Sequence, residues 1–444
     1  MPSSPRTHPI DMPQDVAEDG DTTLREISQA PPQAAHPLHH DHKAVEPPKA
    51  RFHPVQAARI IYRSTSTMSR LANLLWPLAP IGIILRFVRP EWHIAIFVVN
   101  YLGMIPSGNW LAFASLEINE KLPNIVGATF ETLMGAMVEL ILCILLLFQR
   151  QYTVAQDAIL GSMFANLLLI TGFCFFVGGV KYKHQDVAEF VTEISGAGLL
   201  ASAFAIILPS QFSLAVMPAM GLGATEDLVL KVSRSAAVGL LISYGGFLIY
   251  QLKTHRTTFD AVLSAAEAKD TDREEEARRK RLSWAESLVL LLISLALVTA
   301  CAVFLVGEIH HIVELGHVTE PFMGLILVPL VEKAAEHFTA IDEASDNQMD
   351  LALSHVLGAT IQSALLVAPI VVIVGWIANH PMTLQFNGFA SFALLLAVLV
   401  VGSFLSNGKT NWVEGMFLLL LYYIFAVAAW FYPNGAEVGI SEGH

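Results

Sequence analysis

Eleven stretches of mostly apolar residues follow one another along this chain, at about 72–87, 92–115, 124–148, 155–179, 188–208, 230–252, 284–306, 319–341, 349–377, 384–405 and 412–432. A helix needs roughly 20 such residues to cross a bilayer, where every backbone polar group must be paired internally. One run of this kind can be a buried helix; eleven cannot all be hidden inside a water-soluble domain. Composition agrees, with 54% hydrophobic and 15% charged residues, against about 25% charged in soluble domains. The expected fold is an all-α polytopic membrane protein of about eleven transmembrane helices. Cys143, Cys174 and Cys301 all fall inside apolar runs, so no disulfide framework is expected.

The polar segments divide the chain. Residues 1–70 form a Pro-, His- and Asp-rich tail and pre-membrane segment without a secretory signal, expected to be disordered and cytosolic at its start. Its HPLHHDH run, His36 to His42, is either a weak metal binder or a solvated tail. Residues 71–252 carry the first span and a first set of helices, 253–283 a charged linker, 284–433 a second set, and 434–444 a C-terminal tail. Lys and Arg concentrate before the first span, in the linker, and at Lys181 and Lys183. Basic residues favour the cytosolic face. That places the N-terminus and linker in the cytosol and, with an odd span count, the C-terminus across the membrane.

The two sets repeat. GATFETLMGAMVEL (Gly127–Leu140) and GLILVPLVEKAAEH (Gly324–His337) align with glycines and glutamates each 197 residues apart, and GSMFANLLL (Gly161–Leu169) aligns with GATIQSALL (Gly358–Leu366) at the same offset. With the N-terminus cytosolic, Glu139 sits in span three and Glu336 in span eight, which run in opposite directions. Inverted-topology repeats of this kind build many secondary transporters, with ion sites where the halves meet near the midplane.

Charges inside membrane spans are costly and mark ion pathways. A hard divalent cation needs oxygen ligands, and exchanging it for protons needs carboxylates that take up protons when the metal leaves. Glu139 and Glu336 supply two negative charges, matching one Ca²⁺ or two H⁺. Asn166 and Gln362 are candidate neutral ligands. Gly161 and Gly358, with Gly135, are expected to allow close helix packing or a helix break.

At these residues the chain resembles the calcium/proton exchanger (CAX) family of the cation/calcium exchanger superfamily, and most of all its fungal vacuolar members. The likeness runs from about Ala72 to Pro433 and is clearest in LGSMFANLLLITGFCFFVGGVKYK (Leu160–Lys183), SRSAAVGLLISYGGFLIYQLKTH (Ser233–His255), NQMDLALSHVLGATIQSALLVAPIVVIVGW (Asn347–Trp376) and NGKTNWVEGMFLLLLYYIFAVAAWFYP (Asn407–Pro433). The resemblance implies a multi-pass vacuolar membrane protein that takes up cytosolic Ca²⁺ in exchange for protons. Its partners are Ca²⁺, protons and membrane lipid, with no nucleic acid and no cofactor. The family's hallmark, Gly-Asn-x-x-Glu in each half, maps its essential glutamates onto Glu139 and Glu336.

Both motifs depart from that pattern. The first reads Gly135-Ala136-Met137-Val138-Glu139, and the second reads Glu332-Lys333-Ala334-Ala335-Glu336. Glu131 stands where the family usually has a further asparagine. On a helix Glu332, Lys333 and Glu336 share a face. Three readings follow. Lys333 pairs with Glu332 or Glu131, leaving Glu139 and Glu336 for Ca²⁺; or it pairs with Glu336 and is displaced by the ion, which suits a monovalent cation/proton antiporter; or the site no longer transports and the protein is a membrane interaction or regulatory protein. The added Glu131 and Glu332 are candidate cation ligands, and Pro329 a place for the helix to break and open a wet vestibule around Lys333.

Two further clusters stand out. EIHHIVELGH (Glu308–His317) brings His311, Glu314 and His317 to helical spacing in a segment expected to be a loop, as a metal site, a pH sensor or plain polar residues. Asp342, Glu343, Asp346 and Asp350 form either an acidic funnel or an ordinary solvated loop. No G-x-x-x-x-G-K-[ST] phosphate loop and no nucleophile elbow is present, which argues against an ATP-driven pump and a membrane hydrolase.

Overall fold

A computed structural model describes residues 60, 67–269, 281–316 and 318–433, all within one compact unit. Nearly everything described is helical: α1 (Thr67–Asn73), α2 (Leu78–Val88), α3 (His93–Asn119), α4 (Asn124–Phe148), α5 (Tyr152–Phe164), α6 (Thr171–Lys181), α7 (Glu189–Met220), α8 (Leu222–Ile249), α9 (Arg256–Glu267), α10 (Trp284–Gly316), α11 (Glu320–Phe322), α12 (Val328–Glu332), α13 (Ala334–Ser345), α14 (Met349–Gln362), α15 (Ala368–Ile377), α16 (Gly388–Leu405) and α17 (Trp412–Trp430). A two-residue ladder, Gln185–Asp186 against Lys409–Thr410, is the sheet among the described residues. The tail's histidine run and the C-terminal tail lie outside the described residues.

Among the described residues, ten helical segments are long and apolar enough to cross a membrane. Their outer faces expose large apolar groups, among them Phe204, Ile242, Phe392 and Tyr423. Such a belt suits lipid rather than water. The remaining expected span, 319–341, is not one helix. It is built from α11, a π-helical turn at Met323–Leu327, α12 and α13, with Lys333 between the last two. The expected first span is also two pieces, α1 and α2, separated by a turn before Pro77.

Local chemistry explains several of these ends. Asn411 accepts from the Val413 and Glu414 amides at 3.0 and 3.1 Å while Glu414 accepts from the Asn411 amide, a capping box that starts α17. Gly221, at φ +76°, turns α7 directly into α8. Where α2 crosses α3, a Cβ on Gly103 would lie 2.8 Å from Ala79 Cα, so the crossing depends on the glycine.

The helices α3 and α10 pack along much of their length and run antiparallel. At the linker end, Glu117 and Lys121 hold the chain as it re-enters: Glu117 accepts from the Leu282 amide at 3.0 Å, and Lys121 donates to Ser287 at 3.0 Å. Burial lowers the Lys121 pKa, with Glu117 acting in the opposite direction. Two expectations change here. Residues 308–316 belong to α10 rather than to a loop. The acidic run is no open funnel: Glu343 pairs with His355, Asp346 with Lys181, and Asp350 with Lys269 and the Ala188 amide.

Candidate transport site

Pro329 sets the site in motion. It has no N–H to give to the carbonyl four residues back, that of Leu325. The chain there relaxes into the π-helical turn, and Tyr101 donates its hydroxyl to the Leu327 carbonyl at 2.8 Å. Gly161 of α5 lies against this same stretch: a Cβ on it would sit 2.4 Å from Leu325 O and 2.5 Å from Pro329 Cγ. The helix then halts at Lys333, four residues past the proline, with φ −96° and ψ −1°, a backbone region common at functional turns. The break delivers Glu332, Lys333 and Glu336 to the centre of the bundle.

There the two halves of the chain meet. Lys333 Nζ lies 3.0 Å from Glu139 Oε2 and 3.4 Å from Glu336 Oε2, with the lysine 1% and Glu139 0% exposed. Ser363 donates to Glu139 Oε2 at 2.8 Å, and Ser162 donates to Glu332 Oε1. Each hydroxyl comes from the opposite half to the acid it serves. Gly135 makes room for Glu336, since a Cβ on it would fall 2.1 Å from Glu336 Oε1. Three carboxylates and one ammonium share the cluster, for a net charge of −2 when all are ionised.

Lys333 therefore does not pair with Glu332 or Glu131, the arrangement that would have left Glu139 and Glu336 unencumbered. Glu131 accepts from Asn119 at 2.7 Å instead. Gln362 donates to Tyr244 at 3.0 Å. Asn166 and Gln362 are both buried, yet neither is bonded to a cluster carboxylate. The expectation for Gly358 fails: nothing among the described residues lies within 4 Å of where its Cβ would be. It faces a cavity that Thr129, Tyr244, His355 and Gln362 also line, together with Phe259 of α9. Gly161 faces a helix at its closest and Gly358 faces open space, so matching positions do different work.

Ser363, which bonds Glu139, is a residue of the cluster that sequence reasoning missed, although the signal was present. At the 197-residue offset the counterpart of Asn166 is Ser363, not Gln362. His337 was also missed; it is buried beside the cluster in sequence. Several buried polar atoms here have no partner among the described residues: Glu139 Oε1, Glu332 Oε2, Asn166 Nδ2, Gln362 Oε1 and His337 Nε2. Unpaired buried oxygens are expensive unless something else satisfies them. A cation or protons would do so.

The histidine cluster also rearranges. His310 pairs with Glu314 at 3.1 Å, His311 turns instead towards His93, and His317 lies outside the described residues.

Residues 92–253 and 286–431 match the family described as sodium/calcium exchanger protein. The vacuolar calcium ion transporter of Schizosaccharomyces pombe is 35% identical over 368 residues, covering 83% of this chain and 86% of its own. The Ca(2+)/H(+) antiporter of Aphanothece halophytica is 34% identical over 354 residues, covering 78% and 93%. Among solved structures, native YfkE superposes with a TM-score of 0.65 at 25% identity, over 81% of this chain and all of that one.

Proposed function

Because this chain belongs to the sodium/calcium exchanger family, we propose that it is a secondary active antiporter that exchanges Ca²⁺ for protons across the vacuolar membrane. The observation that carries this reading is the convergence of Glu139 and Glu336, one from each half, on a buried cluster with unpaired carboxylate oxygens. The relatives' names, a vacuolar calcium ion transporter and a Ca(2+)/H(+) antiporter, support the same cargo and membrane.

In this mechanism Glu139, Glu332 and Glu336 supply oxygens to the arriving Ca²⁺. Lys333 withdraws from Glu139 and Glu336 as the ion takes its place. The cluster's net charge of −2 is neutralised by one Ca²⁺ or by two protons, so the same carboxylates serve both halves of the exchange. Ser162 and Ser363 keep Glu332 and Glu139 oriented while the cargo changes. The cavity lined by Gly358, Gln362 and His355 is the route from the linker face, with that face and the N-terminus in the cytosol and the C-terminus in the lumen. The 197-residue repeat, read as inverted, makes the opposite route equivalent.

One observation favours a second reading. Lys333 already spans the two transport glutamates as a tethered monovalent cation, which is the arrangement expected if Na⁺ or K⁺ replaced it. The test is proton-gradient-driven ⁴⁵Ca²⁺ uptake into sealed vesicles carrying the protein. Uptake that collapses with a protonophore and in Glu336→Gln supports Ca²⁺/H⁺ exchange. No Ca²⁺ uptake, with Na⁺ or K⁺ dissipating the proton gradient, sinks it in favour of the monovalent reading. Indifference to Glu139→Gln and Glu336→Gln in both assays would mark a non-transporting protein.

A further inference from the structure

Far from the transport cluster, three metal-ligating side chains meet at the end of the bundle opposite the linker. His93 opens α3, while Glu308 and His311 lie one turn apart near the close of α10. His93 Nδ1 is 2.6 Å from Glu308 Oε2, and the His93 and His311 rings lie 4.1 Å apart, centroid to centroid. One ligand atom from each of the three falls within 4.8 Å of the others. Glu308 is almost wholly buried, whereas His93 is 31% exposed, so the group is held from within and reachable from outside. Arg86 of α2 takes the other carboxylate oxygen, Oε1, at 2.5 Å.

We propose that His93, Glu308 and His311 bind a borderline divalent transition metal of the Zn²⁺ class, at a site separate from the transported cargo. Two imidazoles and one carboxylate oxygen, with water in the fourth position, form a familiar tetrahedral zinc set. Ligand atoms around a tetrahedral Zn²⁺ stand about 3.3 Å apart, given bonds near 2.05 Å. The 2.6 Å contact between His93 and Glu308 must therefore open by about 0.7 Å, a small rotation for a partly exposed ring. Arg86 does not compete for the metal. It fixes the carboxylate through Oε1 and leaves Oε2 to ligate, the outer-shell support that metal-binding carboxylates usually have. Ca²⁺ and Mg²⁺ are poor fits, because they require mostly oxygen ligands in larger number. The site thus discriminates against the ion proposed as cargo, and it stands whether or not that transport reading holds.

A metal here would staple α3, the opening helix of one half, to α10, its counterpart in the other half, with α2 attached through Arg86. Metal binding only to the folded form raises its stability. The experiment uses full-length protein in detergent without a histidine tag, carrying His36→Ala, His39→Ala, His40→Ala and His42→Ala so that the tail's own histidines do not interfere. Zn²⁺ is titrated calorimetrically against a chelator of known affinity, and thermal midpoints are read in parallel. The expected result is one Zn²⁺ per chain, with a rise in thermal midpoint. Affinity should fall at least about tenfold in His93→Gln and in His311→Gln. It should be unchanged in His310→Gln and Glu336→Gln, and excess Ca²⁺ should not compete. No saturable binding, or binding undiminished in the monodisperse His93→Gln, His311→Gln double variant, overturns the proposal. So does loss of binding in Glu336→Gln or equal competition by Ca²⁺, either of which would place the metal at the transport cluster.

Discussion

Replacing Lys333 with asparagine, the residue of the family pattern, separates the roles of the cluster. Coulomb's law at an effective dielectric near 20 gives about 5 kcal/mol for each contact, at 3.0 Å to Glu139 and 3.4 Å to Glu336. Desolvation of the buried lysine cancels much of this. The Glu336 contact, whose carboxylate is 30% exposed, deserves a further discount. A net competition of about 2 kcal/mol between the ammonium and the ion remains, or about 30-fold in affinity. Lys333→Asn should therefore lower the apparent KM for Ca²⁺ about 30-fold in initial-rate ⁴⁵Ca²⁺ uptake. The same change leaves buried carboxylates without their partner, which costs about 3–5 kcal/mol in the ion-free protein. Ca²⁺ should consequently raise the thermal midpoint of the variant more than that of the parent. A folded variant with an unchanged or higher KM, and with the parent's thermal response to Ca²⁺, would refute the idea that lysine and ion contend for the same oxygens.

The glycines make a paired test. Gly161→Ala pushes a methyl into the Leu325 carbonyl and should cost about 1–3 kcal/mol of stability by chemical denaturation, whereas Gly358→Ala meets open space and should leave stability near the parent's; equal costs would contradict the packing. Gly135→Ala should abolish Ca²⁺ uptake while the protein still elutes as a folded species, because its Cβ would displace the Glu336 carboxylate; retained uptake would remove Glu336 from the site as described. Because protons and Ca²⁺ occupy the same carboxylates, lowering pH on the loading side should raise the apparent KM for Ca²⁺ without lowering the maximal rate in proportion. A KM that is flat with pH would argue that protons travel elsewhere.

Much of the fold was legible in the sequence because lipid imposes a strong and simple constraint on composition. Glu139 and Glu336 were legible for the same reason, as charges where charges are costly. What escaped were effects of three-dimensional approach. The 319–341 span reads as apolar enough to cross, but Pro329 and the turn before it break its helix, and only packing shows that the halt falls at Lys333. The partners of Lys333 turn on angles between helices, which spacing along one helix does not encode. Ser363 was accessible through the repeat offset but was passed over for its neighbour Gln362, whose side chain goes to Tyr244. His311 was recognised, but with the wrong partners, since His93 is more than two hundred residues away.

Lys333 carries a consequence for how tightly the exchange is geared. In a carrier with bare carboxylates, an unloaded site is a cluster of unneutralised charge, and the penalty for moving it through the membrane keeps the empty form from turning over. Here Glu139 and Glu336 have a resident counter-ion even when nothing is bound. Yet Glu332 adds back the charge that Lys333 removes, so the empty site still stands at −2 and is held back as firmly as a pair of bare carboxylates. Such a protein would keep its exchange tightly geared, with little slippage, and the lysine would act on affinity rather than on the ratio of ions to protons.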